Sequence, residues 1–254
     1  MHNRAMIVFV TGATAGFGAA IARRFVRDGH RVVAAGRRRE RLDALHGELG
    51  DAVLPVELDV RDRKSVTQVF AELPAEFAEV DVLVNNAGLA LGLESAQAAN
   101  LDDWDAMIDT NVKGLAYCSR AALPGMVARN RGHIVNIGSV AAMYPYPGGN
   151  IYGATKAFVH QFSLNLRADL HGTAVRVTDV QPGMCSGTEF SEVRFHGDAA
   201  RAAKVYEGVQ PLTAEDIAET VHWVVNRPVH VNINSVELMP VAQAFSAFRI
   251  DRKA

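Results

Sequence analysis

The tyrosine and lysine of Tyr152-Gly-Ala-Thr-Lys156 are the residues of this chain whose types and spacing most clearly predict chemistry. On a helix, this spacing puts both side chains on one face. A free phenol has a pKa of about 10, and a neighbouring ammonium favours the phenolate and lowers that pKa. A tyrosine with such a partner can exchange a proton with an alcohol or carbonyl oxygen. On its own, the spacing also fits an ordinary pair on a helix surface.

A glycine-rich turn, Thr11-Gly-Ala-Thr-Ala-Gly-Phe-Gly18, follows the first predicted strand. Its glycines allow the backbone to approach a pyrophosphate closely, and the next helix directs its N-terminal N–H groups at that anion. The spacing differs from the standard Gly-x-Gly-x-x-Gly fingerprint, so a turn that serves only chain geometry is the alternative. The position between a strand and a helix favours a dinucleotide site. The residues expected to form it are Gly12, Thr14, Gly16, Phe17 and Gly18.

Arginines stand at the end of the second predicted strand, where a site for NAD usually has an acid that accepts hydrogen bonds from the ribose 2′-hydroxyl. A carboxylate would repel a 2′-phosphate, whereas a guanidinium binds it through paired hydrogen bonds. We therefore expect NADP(H) as the cofactor, with Arg37 and Arg38 as its contacts. Arg39 and Arg41 fit a solvated start of the next helix instead.

Two further strand ends carry candidate cofactor contacts. Asp59-Val60 follows the third strand, and its carboxylate can accept a hydrogen bond from the adenine amino group. An aspartate that caps the helix beginning near Asp62 would look much the same. After the fourth strand, Asn86, Ala87 and Gly88 fit a backbone that lies against the cofactor, although a plain loop has a similar composition.

Short apolar runs alternate with helical patterns along the whole chain. The predicted strands, mostly rich in Val and Ile as expected for strands buried on both faces, are Met6–Val10, Arg31–Ala35, Val53–Leu58, Val82–Val84, Ile134–Ile137, Ala174–Val180 and Ile233–Leu238. The predicted helices are Ala19–Asp28, Arg39–Leu49, Lys64–Leu73, Leu101–Arg129 (two helices, or one bent near Pro124), Tyr152–His171 and Thr213–Asn226. This alternation predicts an α/β fold, a Rossmann-like doubly wound parallel sheet of about seven strands with helices on both faces, in a single domain over residues 1–254.

Composition excludes several classes of function. The net charge of −2 gives no general attraction to nucleic acid or to anionic lipid. The nine histidines show no metal-ligand spacing, and the two cysteines form no CxxC motif, so we predict no metal site. Two cysteines in a chain of 254 residues indicate free thiols in a reducing compartment. With no signal peptide and no apolar run of membrane-spanning length, a cytoplasmic protein without membrane partners is expected.

Together, these motifs resemble the classical short-chain dehydrogenase/reductase family over essentially the whole chain. The resemblance lies in Thr11–Gly18, Asn85–Gly88, Asn111, Ser139, Tyr152-x-x-x-Lys156 and Pro182-Gly183, which keep the family's order and spacing. Within the family, the chain is most similar to the NADP-dependent 3-hydroxy acid dehydrogenases, also described as serine or allo-threonine dehydrogenases and malonic semialdehyde reductases. The resemblance implies hydride transfer between NADP(H) and a small 3-hydroxy or 3-oxo acid, such as serine, allo-threonine or 3-hydroxypropionate.

The resemblance also implies a role for each matching catalytic residue. Tyr152 exchanges a proton with the substrate oxygen, and Lys156 lowers the pKa of Tyr152 and binds the nicotinamide ribose. Ser139 hydrogen-bonds the reacting oxygen. Asn111, expected within a helix, helps to hold a water chain that relays protons to the lysine.

The segment after Pro182-Gly183 is expected to meet the nicotinamide and to cover the substrate. The threonine that usually contacts the nicotinamide amide is displaced here, which leaves Thr188 as the candidate. Residues 184–208 form the predicted substrate loop, whose glycines allow motion. A substrate acid requires a cation in the protein, and Arg194 is the first candidate, followed by Arg201 and Lys204. The alternative is that Arg194 is a solvated charge on the lid. Tyr144, Tyr146 and Asn150 are expected either to line the pocket or to pack ordinarily.

In this family, long helices apolar on more than one stripe pair between subunits. The helices Leu101–Arg129 and Tyr152–His171 have this character, and the apolar tail Val241–Ile250 is long enough to reach a neighbour, so a homotetramer is expected. Two alternative activities stay open, an NADPH-dependent reductase of 3-oxoacyl thioesters and one of bulkier carbonyl compounds. A third alternative, a non-catalytic NADPH-sensing or scaffold protein, would not need the proton-transfer residues.

Overall fold

A computed structural model of the chain describes residues 4–245. The end of the predicted apolar tail, residues 246–250, lies outside this range. Every described residue belongs to one seven-stranded sheet, to the helices that cover it or to the connections between them.

The sheet is parallel throughout, and its strands follow the order β3-β2-β1-β4-β5-β6-β7. The strands are β1 (Ile7–Thr11), β2 (Arg31–Gly36), β3 (Val53–Glu57), β4 (Val82–Asn85), β5 (Gly132–Ile137), β6 (Val175–Pro182) and β7 (Ser235–Leu238). The predicted Rossmann-like sheet of about seven strands is confirmed. Each predicted apolar run overlaps one observed strand, and the ends of the two differ by at most two residues.

The helices lie on both faces of the sheet. They are α1 (Gly16–Arg27), α2 (Arg39–Leu49), α3 (Arg63–Glu72), α4 (Ala75–Ala78), α5 (Leu101–Ile108), α6 (Leu115–Ala128), α7 (Asn150–Asp169), α8 (Phe190–Arg194), α9 (Ala199–Lys204) and α10 (Ala214–Val225). Successive side chains of a strand point to opposite faces, and β1 shows the result. Val8 and Val10 pack in the core with α1 and α10, whereas Ile7 and Phe9 pack in the core with α3, α6 and α7.

The predicted helix Leu101–Arg129 is interrupted at a different place from the one expected. A π-helical segment, Asp109–Gly114, separates α5 from α6, and α6 runs on through Pro124. Such segments occur often at functional sites. Here the segment carries Asn111, whose side chain bonds to groups outside its own helix.

The remaining helix boundaries differ from the predicted ones by a few residues. α1 begins at Gly16 rather than at Ala19, so the glycine turn itself supplies the start of the helix. The predicted substrate loop, residues 184–208, contains the two short helices α8 and α9. No helix within residues 4–245 combines the length and the apolar character needed to cross a bilayer.

Candidate active site

The carboxyl ends of the parallel strands meet at one edge of the sheet, where a cleft of about 710 Å³ opens. The strand order reverses between β1 and β4, and ligands of doubly wound sheets bind at such a switch point. The cleft is lined by most of the predicted site residues, namely Gly12, Thr14, Gly16, Phe17, Arg37, Arg38, Asp59, Val60, Asn86, Ala87, Gly88, Ser139, Tyr152, Lys156, Pro182, Gly183, Thr188 and Arg194. Two predicted residues, Gly18 and Asn111, lie behind its wall.

The glycine turn has the backbone geometry that an anion site requires. Gly12 and Gly16 adopt φ angles of +67° and +49°, which residues with a side chain rarely adopt. A Cβ on Gly18 would collide with the Gly12 carbonyl oxygen, so Gly18 allows the helix to pack against the turn. No side chain caps the N-terminus of α1. The free N–H groups at this end therefore suit a phosphate.

Asn86 supports this turn from the neighbouring strand end. Its Nδ2 donates to the carbonyl oxygens of Thr11 and Gly12, at 2.9 and 3.1 Å. The Thr11 hydroxyl accepts from the backbone N–H groups of Asn86 and Ala87, at 3.0 and 2.9 Å. The side chain of Asn86 thus holds the turn in place, and the adjoining backbone forms the cleft wall.

The two predicted phosphate-binding arginines differ in their contacts. Arg37 is exposed and makes no hydrogen bond or salt bridge within residues 4–245. Arg38 donates to the Thr14 hydroxyl at 2.9 Å and pairs with Glu189 at 2.8 Å. Glu189 precedes α8, and sequence reasoning did not single it out. Glu189 also pairs at 2.6 Å with Arg41, which stays exposed in the first turn of α2.

Asp59 and Val60 reach the cleft at the end of β3. The Asp59 carboxylate pairs with Arg61 at 2.6 Å, and this hydrogen bond holds its pKa below the usual range. The helix cap is Asp62, whose side chain accepts from the backbone of the first turn of α3. The alternative interpretation of Asp59 as a helix cap is therefore wrong. Val60 is buried against Gly114 of the π-helical segment.

Helix α7 presents Tyr152 and Lys156 to the cleft on one face, as the spacing predicted. Both side chains are buried, and the Lys156 Nζ lies 5.9 Å from the centroid of the Tyr152 ring. The Nζ donates to the carbonyl oxygen of Ile137 at 2.7 Å, at the end of β5. Ser139 follows two residues later, and its hydroxyl interacts with that of Tyr152.

The protonation of this pair departs from the predicted direction. Burial raises the pKa of Tyr152 to about 12, which outweighs the lowering by the Ser139 hydroxyl and the Arg194 guanidinium. Burial also lowers the pKa of Lys156 to about 8, against the opposing charge of Asp179. The expected lowering of the tyrosine pKa by the lysine is therefore not found in this arrangement, because desolvation of the phenolate is the larger effect.

Asn111 joins the loop after β4 to helix α7. Its Oδ1 accepts from the Leu89 N–H at 2.9 Å, and its Nδ2 donates to the Leu89 carbonyl and to the Thr155 hydroxyl at 2.8 and 3.0 Å. The loop after β4 is thereby tied to α7 one residue before Lys156. A Cβ on Gly88 would lie 3.3 Å from the Asn111 Oδ1 and 3.7 Å from the Lys156 Nζ.

Arg194 of α8 enters the same cleft. Its Nη2 donates to the Tyr146 hydroxyl at 2.6 Å, and its Nε donates to the Gly92 carbonyl at 3.2 Å. The guanidinium carbon lies 5.4 Å from the Tyr146 ring centroid and 5.6 Å from that of Tyr152. Contacts with aromatic faces and fixed oxygens hold this cation in place beside Tyr152.

The other predicted substrate residues divide between the cleft and the surface. Tyr144 lines the cleft with Tyr146, but Asn150 does not, since its amide donates to the Glu94 carbonyl. Arg201 stacks on Phe195 instead of reaching the cleft. Lys204 is also absent from the cleft wall. Of the three cations predicted to bind the substrate, Arg194 is thus the one that lines the cleft.

Three further residues line the cleft, of which Thr188 was predicted from the sequence and Phe190 and Gln243 were not. Thr188 packs so closely on Gly16 that a Cβ at the glycine would lie 2.9 Å from the Thr188 Cγ2, which places the threonine above the glycine turn. Gln243, after β7, accepts from the Met184 N–H at 2.7 Å. Phe190 packs edge-on against the Tyr152 ring at 5.7 Å. Residues 4–245 hold no group of three metal-ligating side chains.

Comparisons with known proteins agree with this geometry. The sequence model of the family described as short chain dehydrogenase matches residues 6–198. The chain is 64% identical to the NADP-dependent 3-hydroxy acid dehydrogenase YdfG of Salmonella typhi, covering 97% of this chain and 100% of the relative. It is 51% identical to the serine 3-dehydrogenase of Rhizobium radiobacter, covering 97% and 98% respectively.

A solved structure extends the similarity to three dimensions. The closed form of serine dehydrogenase complexed with NADP+ superposes with a TM-score of 0.97 at 60% identity, covering 98% of this chain and 100% of that one. The chain belongs to the short-chain dehydrogenase family.

Proposed function

We propose that this protein transfers a hydride between NADP(H) and a small 3-hydroxy acid or its 3-oxo counterpart. The observation that carries the proposal is the placement of Arg194 5.6 Å from the ring of Tyr152 within one cleft. A 3-hydroxy acid offers a hydroxyl to the tyrosine and a carboxylate to the guanidinium at once. The names of the similar proteins, 3-hydroxy acid dehydrogenase and serine 3-dehydrogenase, support the same substrate class.

The cleft fits a dinucleotide with a 2′-phosphate. The uncapped start of α1 suits the pyrophosphate, and Arg37 and Arg38 stand where the adenosine ribose of such a cofactor would lie. Asp59 and the backbone of Asn86, Ala87 and Gly88 complete this half of the site. On the other half, Pro182, Gly183 and Thr188 are assigned to the nicotinamide, where the bound cofactor supplies or accepts the hydride.

The catalytic roles follow from the residues of the cleft. Ser139 donates a hydrogen bond to the substrate oxygen, and Tyr152 gives its proton to that oxygen in reduction and takes it back in oxidation. Lys156 binds the ribose hydroxyls, and its ammonium lies beside the tyrosine ring. Asn111 fixes the loop and helix around the lysine, and the family resemblance assigns to it a share in holding the water chain that returns the proton.

A turnover assay tests the substrate class directly. The protein is mixed with NADP⁺ or NAD⁺ and with serine, 3-hydroxypropionate, 3-hydroxybutyrate or a neutral alcohol of similar size. We expect turnover of the acids with NADP⁺, much weaker turnover with NAD⁺, and weak turnover of the alcohol. A 3-oxoacyl thioester as the preferred substrate in the reverse direction would replace this proposal with the thioester reductase alternative.

The variant Tyr152→Phe tests the proton-transfer role. Loss of the hydroxyl should lower kcat by about 10²-fold to 10⁴-fold, because general acid–base catalysis contributes on this scale. NADPH binding, followed by fluorescence, should stay near that of the wild type. Near-normal turnover by this variant would contradict the role of Tyr152.

We further propose that the protein works as a homotetramer in the cytoplasm. The support is the family resemblance together with exposed apolar side chains on α7, of which Phe158 and Leu164 are examples.

A further inference from the structure

A buried carboxylate lies behind the catalytic lysine. Asp179, in β6, has no exposed surface, and the sequence assigned it no role. Burying an ionised carboxylate is costly unless a cation or hydrogen-bond donors compensate for the lost water. The groups around Asp179 therefore show what compensates for the burial of its carboxylate.

The two oxygens of Asp179 have different surroundings. Oδ2 accepts from the Gln181 Nε2 at 2.6 Å and lies 3.0 Å from the His160 Nδ1. Oδ1 has no hydrogen-bond partner within the part of the chain described. Oδ1 lies against Gly138, and a Cβ at that position would overlap it, so only glycine allows this approach.

This approach brings the carboxylate next to the anchor of Lys156. The residue before Gly138 is Ile137, whose carbonyl oxygen accepts from the Lys156 Nζ at 2.7 Å. In the register of the sheet, Ile137 pairs with Val180 and its neighbour Asn136 pairs with Asp179. The Asp179 oxygen that lacks a hydrogen bond therefore lies against the residue next to Ile137, whose carbonyl oxygen holds the Lys156 Nζ.

We propose that Asp179 is a positioning residue that supplies the buried counter-charge of Lys156 and so keeps its ammonium protonated at working pH. Lys156 and His160 lie four residues apart on α7, so the same helix face presents both side chains to the carboxylate. The inference rests on the proposed function only where enzyme activity is measured; the other measurements need no turnover.

The direction of the effect follows from the charges around the lysine. Burial lowers the pKa of Lys156 to about 8, and Asp179 acts against this lowering. The other titratable groups near it are Tyr152 and His160 on α7, while α8 brings Arg194 to the same cleft. β5 contributes His133, at its far end. Removing the Asp179 charge should therefore lower the pKa of Lys156 further, so that the ammonium loses its proton at a lower pH.

The variant Asp179→Asn removes the charge and keeps an acceptor for Gln181. Competitive acetylation, read by mass spectrometry with Lys113 as the exposed internal standard, gives the pH at which Lys156 becomes reactive. We expect this midpoint to fall by about one pH unit or more, as removal of a nearby opposite charge implies. The alkaline limit of kcat should fall by the same amount. His160→Gln, which keeps Asp179, should leave the midpoint at or above that of the wild type.

A double-mutant cycle on thermal unfolding covers the case in which Asp179→Asn folds poorly. Lys156→Met leaves a buried carboxylate without its counter-charge and should lower the Tm, and adding Asp179→Asn should recover part of that loss. Additive losses in the cycle, or an unchanged labelling midpoint, would overturn the proposal. Labelling and unfolding need no turnover, so an inactive wild type would contradict the proposed function while these two measurements still tested Asp179.

Discussion

The hydroxyl of Tyr152 shows how burial and charge compete at a single residue. The spacing to Lys156 predicted a lowered pKa, but the phenol is buried, and desolvation of the phenolate outweighs the lowering of the pKa by the Ser139 hydroxyl and the Arg194 guanidinium. Sequence spacing identifies the partners of a side chain and leaves its depth in the fold undetermined. The pKa of a catalytic tyrosine depends on both.

Arg194 gives a prediction at the same scale. Arg194→Met should raise the KM for 3-hydroxypropionate by about tenfold to about a hundredfold, because a hydrogen bond to a charged group contributes about 1.5–3 kcal/mol. The KM for a neutral alcohol should change little. Steady-state kinetics with both substrates measures the difference.

The control for this prediction is Arg201→Met, in the adjoining helix α9. Arg201 stacks on Phe195 and does not line the cleft, so the KM values should stay near those of the wild type. An equal rise in KM for the acid and for the neutral alcohol after Arg194→Met would show that Arg194 shapes the pocket without binding the carboxylate.

At the scale of elements, apolar runs and glycine signals predicted the seven strands better than they predicted the interruption of the long helix. Buried parallel strands read as continuous apolar runs, so all seven were found. The π-helical segment was missed because its cause is tertiary: Asn111 bonds to Leu89 and Thr155, far away in the chain. For the same reason nothing in the local sequence paired Glu189 with Arg38.

The contact between the substrate loop and α2 leads to a prediction about cofactor choice. Glu189 holds Arg38 and Arg41, so its carboxylate competes with a 2′-phosphate for the same guanidinium groups. Glu189→Gln should strengthen NADP⁺ binding by about fivefold, the equivalent of about 1 kcal/mol for a partly exposed pair, and leave NAD⁺ binding unchanged. Calorimetric titration with both cofactors measures this.

Glu192→Gln is the matched control, because Glu192 lies exposed in α8 and has no salt bridge within the described part of the chain. Its affinity for NADP⁺ should equal that of the wild type. Weaker NADP⁺ binding after Glu189→Gln would mean that the carboxylate assists the cofactor by holding the arginines in place.

At the scale of the whole molecule, the outer surface of α7 carries exposed apolar side chains. On α7, Phe158 stacks on Phe162 with ring centroids 5.5 Å apart, and 37% of Phe158 stays exposed.

We expect analytical sedimentation to give the mass of four chains. The variant Phe158→Asp should lower the measured mass, because a buried charge at an apolar interface is costly. Trp223→Gln, on α10 at the opposite face, should keep the wild-type mass. A wild-type mass of one chain would contradict the tetramer.

The π-helical segment also sets how the chain tolerates changes in length. Asp109–Gly114 holds a wider turn than the α-helices on either side, and Asn111 lies within it. A π-helical turn holds about one residue more than an α-helical turn, so deleting one residue there would restore a regular spiral and leave α6 facing nearly as it does now. Cys118, Ala122 and Met126 would stay against the sheet, whereas Asn111 would lose its place opposite Leu89 and Thr155. Loss of a single codon inside α6 itself, by contrast, would turn the apolar face of the helix by about 100°.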